Sequence, residues 1–169
     1  MSANYQLAKW VFTEEDYEQM GWHDCKVRAL TFHNENYEFI LDIDYILQWL
    51  KPAEGETFYN FLVSPATPVF ENVYDLEFDL QTSTFLGIEI DELKRETPRR
   101  PRNADHIKQK QEWKWTLDCH EGDISFWSVG FKQYIRAEPK LVTVQQLDLV
   151  TRGGISFDRR RNTKLQEAK

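Results

Sequence analysis

The stretch Tyr37–Trp49, YEFILDIDYILQW, is the longest part of this 169-residue chain in which hydrophobic residues occupy every second position. Successive side chains of a β-strand point to opposite faces of the sheet. One row of the stretch is therefore aromatic and aliphatic, and the other row carries Glu38, Asp42 and Asp44 among isoleucines. Because a helix would mix the two rows, the pattern predicts a long strand with one face in a core.

Other segments repeat this two-residue period and extend the prediction to the whole fold. The further strands are expected at residues 26–33, 58–63, 74–80, 85–93, 113–119 and 124–136. Pro65 and Pro68 are expected to end the strand at 58–63, and a bulge or bend is expected near Phe126 and Trp127. Strands without regular helix alternation favour an all-β fold, mainly an antiparallel sandwich or a partly open barrel.

One short N-terminal helix is expected in addition to the strands. Thr13 has the chemistry of an N-cap, acidic residues follow it at 14–16, and Gly21 is a natural stop. The residues expected in the core share the apolar phase of the predicted strands: Phe39, Leu41, Ile43, Tyr45, Leu76, Phe78, Trp115 and Leu117.

The length of the chain predicts a single domain, residues 1–169. Its net charge of −7 is unevenly distributed, because residues 1–93 contain 4 Lys/Arg against 18 Asp/Glu and residues 94–114 contain 8 against 3. Residues 94–112 lack periodicity and include Pro98 and Pro101, which predicts an exposed basic loop. Residues 158–169 are expected to form a frayed basic tail.

The N-terminus has no apolar signal-like region, and no apolar run approaches the roughly 18 residues of a membrane span. We therefore expect a soluble, cytoplasmic protein without a membrane partner. Cys25 and Cys119 are expected to be reduced and mostly buried, since a reducing compartment does not favour a disulfide between them.

Acidic residues on the polar faces of the predicted strands are the first candidates for binding. Carboxylates on neighbouring strands lie about 5 Å apart and repel each other unless a cation or a basic partner intervenes. The pattern is consistent with a basic protein partner or a divalent ion, and also with solvated faces that discourage edge pairing. The candidate binding residues are Glu38, Asp42, Asp44, Asp75, Glu77 and Asp79.

Asp42 and Asp44 support an alternative of another class. Together with exposed tryptophans they could line an acidic cleft of a carbohydrate- or metal-binding domain, or of a hydrolase. Two carboxylates at this spacing are common in strands, and no phosphate-loop, dinucleotide-binding or Gly-x-Ser-x-Gly pattern occurs. The sequence therefore favours a non-catalytic binding protein without a cofactor, and it leaves the oligomeric state open.

Four residues have the ligand atoms of a tetrahedral zinc site: His23, Cys25, Cys119 and His120. Cys119 and His120 are adjacent and would point to opposite faces of a strand, so at most three of the four converge. Cys119 also continues the apolar row of Trp115 and Leu117, which favours a buried core thiol over a metal ligand.

Arg99, Arg100 and Arg102 give the basic loop the composition of a nucleic-acid patch. The strongly acidic residues 1–93 would repel phosphates, so the balance of charge does not favour nucleic acid as a partner. A solvated loop or a loop that docks a protein partner agrees better with this distribution of charge.

The segments WHDCKVRALTF, LDIDYILQW and SPATPVFENVYDL, with QYIRAEP and RGGISF near the end, resemble a family of small bacterial proteins of unassigned function. The resemblance covers roughly residues 12–157 and implies no activity. In type, as a compact acidic β-rich domain without a catalytic signature, the chain also looks like the immunity proteins that neutralise bacterial toxins.

Overall fold

The computed structural model describes residues 6–83 and 86–162, which form ten strands and two short helices. The all-β prediction is confirmed. The first five strands are β1 (Val11–Thr13), β2 (Cys25–His33), β3 (Glu38–Leu50), β4 (Asn60–Glu71) and β5 (Tyr74–Leu80). The remaining strands are β6 (Ile88–Arg99), β7 (Glu112–Cys119), β8 (Gly122–Ser128), β9 (Gly130–Ile135) and β10 (Lys140–Val142).

These strands form one antiparallel sheet with the order β1-β9-β4-β3-β2-β6-β7-β8-β5. The short strand β10 pairs with β4 beyond the end of β9. The predicted hairpins β2–β3 and β7–β8 are both present. Strand β5 ends the sheet on one side and β1 ends it on the other.

Aromatic rings fill the space between β3–β4 and β7–β8. The ring centroid of Phe70 lies 4.7 Å from that of Phe126 and 5.8 Å from that of Trp115. The ring centroid of Phe39 lies 5.4 Å from that of Phe126. The open sheet therefore curls until its two halves face each other across one core. Leu76 is only half-buried and Phe78 is exposed, contrary to expectation, because both belong to the edge strand β5.

Strand β3 contains all but the first residue of the stretch Tyr37–Trp49, and the middle of its apolar row, Phe39 to Tyr45, is buried as expected. Leu47 is half-buried, and Tyr37 and Trp49 at the two ends are exposed. The second row is also buried, since Ile40, Asp42, Asp44 and Ile46 are at most 5% exposed. Residues 147–158, here called the C-terminal segment, cover this row, and the N–H groups of Leu147 and Ser156 donate to Asp44 and Asp42. The burial contradicts both interpretations of Asp42 and Asp44, as residues that bind a partner and as part of a solvated acidic face.

Strand β4 continues through Pro65 and Pro68, so the prediction that these residues end it is wrong. Pro65 lies where the neighbour of β4 changes from β10 to β9, and its carbonyl accepts from the N–H of Arg136. Opposite Pro68, the β3–β4 register has no paired residues between Ile40 and Ile43. The missing proline N–H groups therefore fall at interruptions of the ladder, where a central strand tolerates them.

The basic loop is shorter than predicted, because β6 continues to Arg99 and β7 begins at Glu112. Pro98 fits within β6 because the register shifts between Glu96 and Arg99, next to Thr97, which has a φ of 50°. The strand predicted at 124–136 is divided into β8, which ends at Ser128, and β9, which starts at Gly130. The interruption lies at Val129, just beyond the predicted position near Phe126 and Trp127, where the pairing with β7 is regular.

The predicted N-terminal helix is a 3₁₀ helix, Glu14–Gln19, with a capping box between Thr13 and Asp16. A second helix, α1 (Leu149–Arg152), begins after the N-cap Asp148 and ends at Gly153, whose φ is 79°. Within the described residues, no helix is long and apolar enough to cross a membrane.

Residues 158–162, the described part of the predicted tail, are held against the sheet. Arg159 pairs with Glu38, Arg161 lies 2.9 Å from a carboxylate oxygen of Glu138, and the N–H of Asn162 donates to the carbonyl of Arg136. The expectation of fraying is wrong for this part because Glu38 in β3 and Glu138 after β9 pair with its arginines. Residues 163–169 lie outside the described residues.

Candidate functional site

Asp42 and Asp44 lie in a buried cluster with three arginines. Arg152 donates two hydrogen bonds to Asp42, at 2.6 and 2.8 Å, and one to Asp44 at 2.8 Å. Arg136 lies 2.8 Å from Asp42, and Arg28 donates to Asp44 at 2.8 Å. Both carboxylates are fully buried, so they line no cleft and cannot act as an exposed acid pair.

Glu38 and Asp75 lie nearer the surface, and each is paired with an arginine. Glu38 contacts Arg159 through both carboxylate oxygens. Asp75 contacts Arg102, whose guanidinium also lies 4.5 Å from the ring centroid of Tyr74. Of the six predicted binding residues, Asp75, Glu77 and Asp79 are exposed, and of these three Glu77 and Asp79 form no ion pair with a described residue.

Asp79 belongs to a row of four carboxylates across neighbouring strands, here called the acidic band: Asp79, Asp123, Asp118 and Glu92. Asp79 is opposite Asp123, Asp123 is opposite Asp118, and Asp118 is opposite Glu92. Residues directly opposite in a sheet share a face, so all four side chains project from the outer surface of β5, β8, β7 and β6. Lys94 contacts the band, with Nζ 2.8 Å from Asp118 and 3.9 Å from Glu92.

The close approach of these carboxylates changes their proton affinity. Partial burial, repulsion by Asp118 and a hydrogen bond with that residue raise the pKa of Asp123. The hydrogen bond from Lys94 lowers the pKa of Asp118, which therefore carries the negative charge more readily. The centre of the acidic band consequently holds unfavourable repulsion that an approaching positive charge would relieve.

Asp118, Asp123 and Glu92 were not among the predicted binding residues. The tight turn at His120 and Glu121 places Cys119 opposite Gly122, so turn length alone would have paired Asp118 with Asp123. The position of Glu92 opposite Asp118 could not be predicted in this way, because the alignment of β6 with β7 includes a register shift between Ile90 and Glu92.

Asp24, Glu89 and His120 form a second cluster, in which one ligand atom from each residue lies within 4.8 Å of the others. The nearest contacts are 3.4 Å between His120 Nδ1 and Glu89 and 3.9 Å between His120 Nε2 and Asp24. A cavity beside them is also lined by Glu121 and Gln145. Two carboxylates and one imidazole could hold a divalent ion such as zinc or manganese.

Only His120 of the four predicted zinc ligands belongs to that cluster. His23 instead lies 2.9 Å from the Asp91 carboxylate and stacks on Trp49, with ring centroids 5.9 Å apart. Cys25 and Cys119 are buried free thiols, and burial raises the pKa of each to about 12. Within the described residues, the predicted set of four does not converge, because the two thiols are in the core and the imidazoles face outward.

The arginines predicted on the basic loop are each paired within the chain. Arg99 belongs to β6, donates to Glu112 at 2.7 Å and lies 3.4 Å from the ring centroid of Trp127. Arg100 lies 2.6 Å from Asp105, and Arg102 contacts Asp75 as described above. The three arginines therefore neutralise nearby carboxylates of the same chain.

Comparison of the chain with protein-family models, with curated proteins and with solved structures finds no match.

Proposed function

We propose that this chain is a non-catalytic cytoplasmic protein that binds a positively charged protein partner through the acidic band. The observation that carries the proposal is the uninterrupted row of carboxylates on four adjacent strands, contacted by Lys94 alone among the described lysines and arginines. Like charges directly opposite each other destabilise a sheet. Lysines or arginines of a partner would relieve that repulsion on binding.

The band also has the exposure that recognition requires. Asp79, Asp123 and Glu92 are exposed, whereas Asp42 and Asp44 are buried and neutralised by arginines. Charge complementarity of this kind speeds association and selects partners by sign of charge. The likeness in type to toxin-immunity proteins suggests a basic toxin as one such partner.

The test compares an Asp118→Asn, Asp123→Asn double variant with the unchanged chain as bait in a cell lysate. We expect the unchanged chain to enrich a basic protein, with capture that weakens as ionic strength rises above about 0.1 M, where the Debye length is about 10 Å. The double variant should capture at least about tenfold less of that protein, measured by quantitative mass spectrometry.

The matched control is Glu35→Gln with Glu54→Gln, which removes the same charge from two exposed turns away from the band. Melting temperatures of both double variants show whether each remains folded. Equal loss of capture in both double variants would show that net charge, and not the acidic band, determines binding, which contradicts the proposal. Undiminished capture by the Asp118→Asn, Asp123→Asn variant would also refute it.

A further inference from the structure

Strand β5 leaves one side of its backbone open. In the described part of the chain it pairs with β8 alone and stands at the end of the sheet order. The N–H of Gln81 donates to the carbonyl of Glu121, so the backbone groups of Gln81 face β8. Because backbone groups alternate between the two sides of a strand, those of Glu77 and Asp79 face β8, whereas those of Phe78 and Leu80 face away from it.

The side chains of β5 alternate in character as well. Glu77 and Asp79 lie on the outer face, where Asp79 is opposite Asp123 of the acidic band. Phe78 lies on the other face, and its ring centroid is 6.3 Å from that of Phe32. Both rings are accessible, with exposures of 44% for Phe78 and 50% for Phe32. A strand placed beside β5 would meet carboxylates on one face and aromatic rings on the other.

A cavity extends this ring surface towards the start of the strand, and its lining combines apolar side chains with polar ones such as Glu38 and Asp75. Phe32, Tyr37, Tyr74 and Leu76 contribute to its lining, and Tyr37 is 54% exposed. The apolar side chains of an added strand could therefore contact the apolar part of this cavity, on the same side of β5 as Phe78.

A second copy of this chain is a poor occupant of this edge. Two β5 strands placed side by side would bring the carboxylates Glu77 and Asp79 of one copy against those of the other. Like charges opposite each other destabilise such a pair. The edge therefore disfavours self-pairing and suits a strand of opposite charge.

We propose that β5 receives an extended segment of a protein partner as an added strand, with lysine or arginine alternating with apolar residues. The basic side chains contact Glu77, Asp79 and Asp123, the apolar side chains contact Phe78 and Phe32, and the segment's backbone bonds to Phe78 and Leu80. This is recognition by β-strand addition, in which backbone bonds give affinity and alternate side chains give specificity. The inference rests on the proposed function and names its mode of binding.

Designed peptides test the inference directly. Ten-residue peptides contain five lysines and five valines, either strictly alternating or in two blocks, and their dissociation constants are measured by fluorescence anisotropy. Two further alternating peptides are N-methylated, one at the valine amides and one at the lysine amides. In an antiparallel added strand the valines lie opposite Phe78 and Leu80, so their N–H groups bond to β5 and those of the lysines point away.

We expect the alternating peptide to bind at least tenfold more tightly than the block peptide. One N-methylated isomer should lose at least tenfold in affinity while the other binds like its parent. Loss in the valine isomer identifies antiparallel addition, and loss in the lysine isomer identifies parallel addition. Glu77→Lys with Asp79→Lys should weaken binding of the alternating peptide, and the control Glu54→Lys with Glu56→Lys, at two exposed residues between β3 and β4, should weaken it much less.

Equal binding of the alternating and block peptides, or of both methylated isomers, would overturn strand addition and leave the acidic band as a surface of charge alone. Absence of peptide binding would also overturn strand addition. The proposed function fails separately, when the Asp118→Asn, Asp123→Asn variant captures as much basic protein from the lysate as the unchanged chain does.

Discussion

Cys25 and Cys119 show how far the surroundings of a single residue can be predicted. Both were expected to be buried because they continue or adjoin apolar rows, and burial is confirmed. The Sγ atom of Cys25 is fully enclosed and accepts a weak contact from the N–H of Ile46 at 3.5 Å. Such thiols behave as small apolar side chains rather than as nucleophiles.

The raised pKa of these thiols predicts slow chemistry in the folded protein. With a pKa of about 12 instead of 9.0, almost no Cys25 thiolate exists at pH 8. Labelling of a Cys119→Ala variant with a thiol reagent should therefore be at least about 100-fold slower in buffer than in denaturant. The variant isolates Cys25, and labelling in buffer at the denatured rate would contradict the burial.

The same shift has a consequence for stability at alkaline pH. The Cys25 thiol loses its proton more easily in the unfolded chain than in the folded protein. Above pH 9.0, the ordinary pKa of the thiol, unfolding is therefore accompanied by release of a proton and is favoured by rising pH. The free energy of unfolding should fall between pH 9 and about 12 and be unaffected by this group below that range.

At the scale of elements, strand β3 separates what a local pattern can predict from what it cannot. The two-residue period predicted its existence, its length and its apolar row, because these depend on neighbours in the sequence. The burial of Asp42 and Asp44 depends on Arg136 and Arg152, which are about a hundred residues away in the chain. The two-residue period of a strand contains no information about a partner so distant in the sequence. Without a known partner, a carboxylate in a strand is expected to be exposed to solvent.

The C-terminal segment is held to β3 largely through Arg152, and this contact predicts a large effect of one substitution. Arg152→Met should lower the free energy of unfolding by about 3 to 5 kcal/mol, because it leaves buried carboxylate charge with too few partners. Urea denaturation followed by circular dichroism measures the change. The control Arg100→Met removes an exposed arginine paired with Asp105 and should cost less than about 1 kcal/mol. Similar midpoints for the two variants would show that the cluster is not a source of stability.

At the scale of the whole molecule, the net charge of −7 describes the surface poorly. Many charges predicted to be exposed are paired inside the chain, either with the C-terminal segment or with the basic loop. The acidic band places four carboxylates side by side on the outer face of β5, β8, β7 and β6, which an average over the chain does not reveal. The acidic asymmetry was visible in the sequence, whereas its location required the strand order.

The acidic band predicts a small gain in stability when one of its charges is removed. Because the pKa of Asp123 is raised above its ordinary 3.8, ionisation of this group favours the unfolded chain, and the cost is present at pH 7. Because Asp123 is exposed and solvent screens its charge, Asp123→Asn should raise the free energy of unfolding at pH 7 by only about 0.5 kcal/mol or less, and leave it unchanged near pH 2. Thermal melts at both pH values, with Glu35→Gln as the control, measure the difference. A lower melting temperature at pH 7 would contradict the repulsion inferred for the band.

The dependence of strand β3 on Arg136 and Arg152 also sets an order of events during synthesis. The ribosome completes β3 about a hundred residues before it adds Arg152, so the carboxylates of Asp42 and Asp44 remain hydrated while most of the sheet is being made. The full set of arginine contacts to these carboxylates can form only once Arg136 and Arg152 have left the exit tunnel. A translation product that stops before residue 152 therefore lacks the arginine that contacts both carboxylates, and Arg28 and Arg136 alone leave part of the charge in this central strand without a partner.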